Sequence, residues 1–92
     1  MILSFVHKGL AKFYKNGNIS GIQHKHIKRL KLVLSNLDQA ENLKDMDLPG
    51  LHLHELKGQR KGIQAVSISG NWRVTFRFIG NNVETVNYED YH

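Results

Sequence analysis

The sequence predicts an α+β fold in two layers, with helices packed on one face of an antiparallel sheet. Three observations carry that prediction. Apolar residues recur at helical spacing in the first half of the chain and alternate at strand spacing in the second, and a Pro49-Gly50 turn signal separates the two regimes. Ninety-two residues, 40% of them hydrophobic, suffice for one core and not for two, so residues 1–92 are read as a single domain.

The elements follow in order. Ile2 to Val6 reads as a short strand. Lys8 to Lys15 reads as a short helix, with Leu10, Phe13 and Tyr14 at helical spacing and Asn16-Gly17 as its stop. Ser20 is a plausible cap for the next element. From about Gln23 to Leu37, Ile27, Leu30, Val33 or Leu34, and Leu37 form one face of an amphipathic helix. Lys25, Lys28, Arg29 and Lys31 fall on its other faces, which read as solvated. An acidic loop spans Asn42 to Gly50.

Beyond Gly50 the period becomes that of a strand. Leu51 to Leu56 places Leu51, Leu53 and Glu55 on one side and His52, His54 and Leu56 on the other. Gly62 to Ser69 and Trp72 to Ile79 form a hairpin across the tight Gly70-Asn71 connection. In the second of these strands Trp72, Val74, Phe76 and Phe78 make the core stripe, with Arg73, Thr75 and Arg77 on the opposite face. Gly80-Asn81-Asn82 turns the chain into a last strand, Val83 to Tyr88. The face turned away from the helices is therefore expected to be open and basic, with Arg73, Arg77 and one or both of His52 and His54 on it.

Charge narrows the function. Thirteen Lys and Arg against eight Asp and Glu give a net +5, a balance that attracts polyanions, and nucleic acid is the commonest of these in a cytoplasm. No cysteine is present, which removes disulfides and thiolate metal sites. The apolar run Ile2 to Val6 is too short for a signal-peptide core or a membrane span, so a cytoplasmic protein with no membrane partner is expected.

RNA can be cut without a metal by a few groups. A base takes the proton of the ribose 2′-OH, the oxygen attacks the adjacent phosphorus, cations stabilise the phosphate oxygens, and an acid protonates the departing 5′-oxygen. Histidine suits the acid and base roles, and Arg and Lys suit the phosphate. His54 and Lys57 at one strand end, Arg73 and Arg77 on another strand, and Asp90-Tyr91-His92 at the terminus supply these types. Tyr91 can stack on a base. His52 and His54 could share a strand face and bind zinc, but a third ligand is not evident. No metal and no cofactor is expected.

Four segments, in register, resemble one family: Ser4-Phe5-Val6-His7-Lys8-Gly9-Leu10, Leu53-His54-Glu55-Leu56-Lys57-Gly58, Gly70-Asn71-Trp72-Arg73-Val74-Thr75-Phe76-Arg77-Phe78, and Tyr88-Glu89-Asp90-Tyr91-His92. Together they resemble HigB-type toxins of the RelE-like superfamily, killer-protein-like members included, over essentially the whole chain. The resemblance implies a RelE-like fold and a toxin of a type II toxin-antitoxin system. It also implies a ribosome-dependent endoribonuclease, an mRNA interferase that cleaves messenger in the A site of the 70S ribosome and inhibits translation.

The implied partners are the ribosome with its mRNA and a cognate helix-turn-helix antitoxin, HigA-like, with DNA touched only through the antitoxin complex. By position, the resemblance gives His54 and His92 to proton transfer or to holding the 2′-OH, Lys57 and Arg73 to the phosphate, Asp90 to an orienting role, and Tyr91, with Asn71 and Arg77, to RNA binding. Base and acid stay open among His54, Lys57, Asp90 and His92. Two departures stand out. Ile68 and Ser69 occupy positions where some HigB-type toxins carry a basic residue, and Glu55 replaces a proline. A non-catalytic RNA- or ribosome-binding module that titrates an antitoxin is the competing expectation.

Overall fold

The computed structural model describes residues 1–91. Helix α1 spans Lys8–Asn16 and α2 spans Ile27–Gln39. Strands β1 (His54–Glu55), β2 (Gln64–Ser69), β3 (Trp72–Ile79) and β4 (Asn82–Asp90) pair antiparallel in the order β1-β2-β3-β4. The two-layer α+β arrangement expected from the change of period is what the chain adopts.

Local chemistry explains the helix ends. His7 caps α1, its Nδ1 accepting from the Leu10 N–H at 2.9 Å, and Gly17 ends it in the left-handed conformation as the Asn16-Gly17 pair suggests. Ser20 caps nothing: its own N–H donates to Asn18 Oδ1, and a 3₁₀ turn over His24–His26 precedes α2, which starts at Ile27 rather than at Gln23. Gly9 and Gly21 let α1 cross this connection at close range, since a Cβ on Gly9 would lie 2.9 Å from the Gly21 Cα.

The core fills the space between the layers. Leu10, Phe13, Leu30, Val33, Leu34 and Leu37 from the helices meet Val66, Val74, Phe76, Val83, Val86 and Tyr88 from the sheet. The Asn42–Gly50 loop contributes as well, through a 3₁₀ turn over Leu43–Met46 capped by Asn42, with Met46 fully buried. Arg29 differs from its reading as part of a solvated face. It is half-buried, and it donates to the carbonyls of Gly50 (2.5 Å) and Ser67 (3.3 Å), pinning that loop and β2 to α2.

Two strands differ from their predicted extents. The Ile2 to Val6 segment is not a continuous strand; it runs parallel to β4 through isolated bridges Ile2↔Val83 and Phe5↔Val86. The break has a cause in β4, where an extra residue bulges between the pairs Thr75↔Asn87 and Arg77↔Glu84. Thr85 sits there at φ 53°, its N–H donating to Ser4 Oγ at 2.9 Å, and the bulge turns both Val83 and Val86 into the core. Leu51 to Leu56 shrinks to the two residues of β1, because His52 takes a left-handed φ of 51° that ends the extended run.

Candidate active site

Register places the polar residues of the sheet. Residues paired across antiparallel strands project to the same side. His54, Ala65, Thr75 and Asn87 form one row across the four strands, and Ser67, Arg73 and Glu89 form the next. Both rows project away from the helices, since the intervening residues Val66, Val74 and Tyr88 lie in the core. The alternation read from the Trp72/Val74/Phe76/Phe78 stripe thus produces an open face that carries His54, Arg73 and Arg77.

His54 is exposed on β1, and its Nδ1–H donates to the His52 carbonyl at 2.8 Å. A carbonyl can only accept, so Nδ1 carries the proton in this bond and, in a neutral ring, the lone pair lies on Nε2. That is the form able to take a proton. The left-handed turn at His52, which shortens the strand, also brings its carbonyl to His54, and it breaks the alternation that would have set the two imidazoles on one face. Among the described residues no group of three or more His, Cys, Asp or Glu is arranged to hold a metal ion. Lys57, exposed, opens the 3₁₀ turn Gly58–Arg60 just beyond β1.

The other half of the site gathers at the β2–β3 hairpin and the end of β4. Tyr91 donates its backbone N–H to the Asn71 carbonyl at 2.8 Å, so the strand end carrying Asp90 lies against the Gly70-Asn71 turn. Asp90 pairs with Trp72 in the register and so projects to the Trp72 side at the end of the sheet, not onto the face that carries His54. The Tyr91 ring is partly exposed, at 39%. Arg73 is half-buried and folds back, Nη1 donating to the carbonyls of Gly70 (2.7 Å) and Trp72 (3.1 Å), while its Nε is buried without a partner among the described residues. Arg77 stands apart, opposite Glu84 and four residues along β3 from Arg73, roughly 13 Å at strand rise. His92 lies outside the described residues.

Sequence reasoning missed the centre of this face. Arg60, from the turn after Lys57, forms a bidentate ion pair with Glu89, Nη1–Oε1 at 2.7 Å and Nη2–Oε2 at 2.9 Å. Asn87 Nδ2 (3.1 Å) and Thr75 Oγ1 (3.4 Å) also donate to Oε2. The Arg60 guanidinium holds the Glu89 carboxyl below its ordinary range, and the carboxylate raises the already high value of Arg60. Asn87 and Glu89 alternate with the core residues Val86 and Tyr88, which was the available signal. Arg60 lies in an irregular turn, where no periodicity marks it.

On the helix side the same strands end in a buried aromatic cluster. Trp72 and Tyr88 stack at 4.6 Å, and His26, from the turn before α2, approaches both rings. His26 Nδ1 and the Tyr88 hydroxyl are 2.5 Å apart, and its Nε2 is buried without a partner among the described residues. Burial, with Lys25 nearby, holds the imidazole below its ordinary pKa and so neutral. This cluster anchors the end of the sheet that carries Asn71 and Tyr91.

Residues 3–92 match the family described as RelE-like toxin of type II toxin-antitoxin system HigB. The chain belongs to this family. It is 38% identical over 92 residues to Endoribonuclease HigB of Proteus vulgaris, with full coverage of both chains. Its fold resembles that of a crystallised mutant of YafQ from E. coli, with a TM-score of 0.65 at 17% identity, over 98% of this chain and 91% of that one. The resemblance read from four sequence segments is borne out, as is the RelE-like fold. As a member of a type II toxin family, this HigB-like chain is a toxin whose system includes a cognate antitoxin. No helix among the described residues is long and apolar enough to cross a membrane.

Proposed function

We propose that this HigB-like toxin is an endoribonuclease that cleaves messenger RNA in the A site of the 70S ribosome, without a metal, by attack of a ribose 2′-OH on the adjacent phosphate. The observation that carries the reading is His54, exposed on the uncovered sheet face with its tautomer set so that Nε2 can accept a proton. The activity named for the Proteus vulgaris relative agrees with it.

In this reading His54 Nε2 takes the 2′-OH proton as the oxygen attacks phosphorus, and the P–O5′ bond breaks. The Asp90-Tyr91-His92 end supplies the proton to the departing 5′-oxygen. Lys57 and Arg73 balance the charge that grows on the phosphate oxygens. Arg73 swings from the Gly70 carbonyl to do so, a move helped by its Nε, which has no partner among the described residues. Tyr91 and Asn71 hold the base, and Arg77 meets the strand of RNA farther along the face.

The ribosome completes the site. His54 lies on β1 and Asp90 ends β4, strands separated by β2 and β3 by about 14 Å at ordinary strand spacing, with Asp90 turned to the Trp72 side where the sheet ends. A messenger held in extended form can bridge such a gap, and positioning of this kind contributes on the order of 7–11 kcal/mol in favourable cases. The implied setting is cytoplasmic, with a HigA-like helix-turn-helix antitoxin as the neutralising partner and DNA reached only through that complex.

Primer extension on a defined messenger, with and without translating ribosomes, tests the reading. Breaks in phase with codons and only in the presence of ribosomes are expected. Cleavage of naked RNA would make the protein a free-standing ribonuclease, and no cleavage in either case would favour a binding-only module.

A further inference from the structure

We propose that Arg60 and Glu89 act as a positioning strut, setting the turn that carries Lys57 against the strand end that carries Asp90 and Tyr91. The inference rests on the ribonuclease reading for its consequence, but the strut itself is a feature of the fold.

The need for it lies in the sheet order. Among the described residues β1 and β4 are not neighbours, so the backbone ladders join the two halves of the site only indirectly, through β2 and β3. β1 is also the weakest strand, joined to β2 by only the pairs His54↔Ala65 and Glu55↔Gln64. Arg60 lies three residues beyond Lys57, and Glu89 directly precedes Asp90. A rigid link between Arg60 and Glu89 therefore spans the sheet and joins the two halves by their sequence neighbours.

The geometry suits that role. The ion pair is bidentate, so it fixes orientation as well as distance. Thr75 and Asn87, from β3 and β4, orient the carboxylate beneath it. Ala65 and Thr75 project to the open face yet are buried, and Leu56, buried beside the same turn, stands outside the main core, so this part of the face is closed over locally. Glu55 adds a second tie, its Oε2 accepting the Gly62 N–H at 3.2 Å at the far end of the turn. The side chains of Arg60 and Glu89 remain 40% and 21% exposed, so the pair contributes little to global stability compared with what it does to local placement.

The test uses the full chain with programmed ribosomes and compares Arg60→Gln, Glu89→Gln and the double variant. Single-turnover cleavage is expected to fall on the order of 10–100-fold in each single variant, with ribosome affinity and melting temperature nearly unchanged. The double variant is expected to be no slower than either single one, because the strut is lost once. Arg60→Lys, which keeps the charge and loses the fork, is expected to be slow as well.

Hydrogen exchange provides the readout that does not depend on activity. Glu89→Gln is expected to speed exchange at the Tyr91 amide and in the 57–62 turn together, with the Val74–Phe76 amides unchanged. Glu89→Gln cleaving at the parental rate would overturn the proposal, as would unchanged exchange in both segments. If Arg60→Gln alone is slow, Arg60 is a direct phosphate contact and not a strut. A parental chain that does not cleave on ribosomes would defeat the ribonuclease reading, and exchange would then decide the strut by itself.

Discussion

The two faces of the sheet are built from the same strands and do opposite things. On the helix side Val66, Val74, Phe76, Val86 and Tyr88 are removed from water, and the imidazole among them, His26, is kept neutral by burial. On the open side His54, Lys57, Arg77 and Tyr91 stay exposed, and the order comes from hydrogen bonds: Nδ1 of His54 on a carbonyl, Arg60 on Glu89, Arg73 on Gly70. Apolar contact sets the shape, and polar contact sets the chemistry. A residue on one face should therefore fail differently from its neighbour in the strand.

The largest effect is expected at Phe76. Phe76→Ala removes a fully buried ring at the middle of the core and should cost about 3–5 kcal/mol, read as a large fall in melting temperature with loss of all activity. His54→Gln, on the other face, should leave the melt in place and slow cleavage on the order of 10²–10⁴-fold, the range for a removed general base. If His54→Gln unfolds the protein, the division between the faces is wrong. If it cleaves normally, the assignment of the base is wrong.

Acid should separate the faces as well. His26 has a folded pKa below the ordinary value, so the unfolded chain takes up the proton first, and stability should fall as pH drops through about 6.5. Glu89 has a folded pKa below the carboxylate range, so its contribution is present above about pH 4.3 and is lost only as pH falls below that. Thermal melts across this range should show the helix-side loss first. His26→Phe should flatten the slope near pH 6, and a slope that persists would place the sensitive group elsewhere. The smallest effect is on the stability contributed by the exposed ion pair: Glu89→Gln should change it by about 0–1 kcal/mol, and less in high salt.

The sequence was legible wherever one period governed a whole element. The Ile27–Leu37 stripe and the Trp72–Phe78 alternation located α2, β3 and both faces of the sheet. The Gly17 and Gly70-Asn71 signals marked a helix end and a hairpin. Legibility failed where a single residue broke the period. The left-handed backbone at His52 shortened β1, and the bulge at Thr85 reduced the first segment to isolated bridges. Neither residue is a glycine, so composition did not announce a positive φ.

At the candidate site, residue types were visible and mutual placement was not. Asn71 and Tyr91 do meet, through a backbone bond that side-chain chemistry could not foretell. His54 lies in β1 and Lys57 two residues past its end, so nearness in the chain is what relates them. What links the two sides, Arg60 with Glu89, is a long-range pair between an irregular turn and a strand, and no local pattern encodes it.

In the proposed reaction the open face directs a ribose 2′-oxygen at the adjacent phosphate. Its most direct test is a messenger with one 2′-deoxy nucleotide at the mapped cleavage position, placed in the A site of a translating ribosome beside an all-ribose control. The control is expected to be cut, and the substituted messenger to survive at that position. Cleavage of the deoxy-substituted messenger at the control rate would contradict it, because the attacking oxygen would then have to come from somewhere other than the RNA.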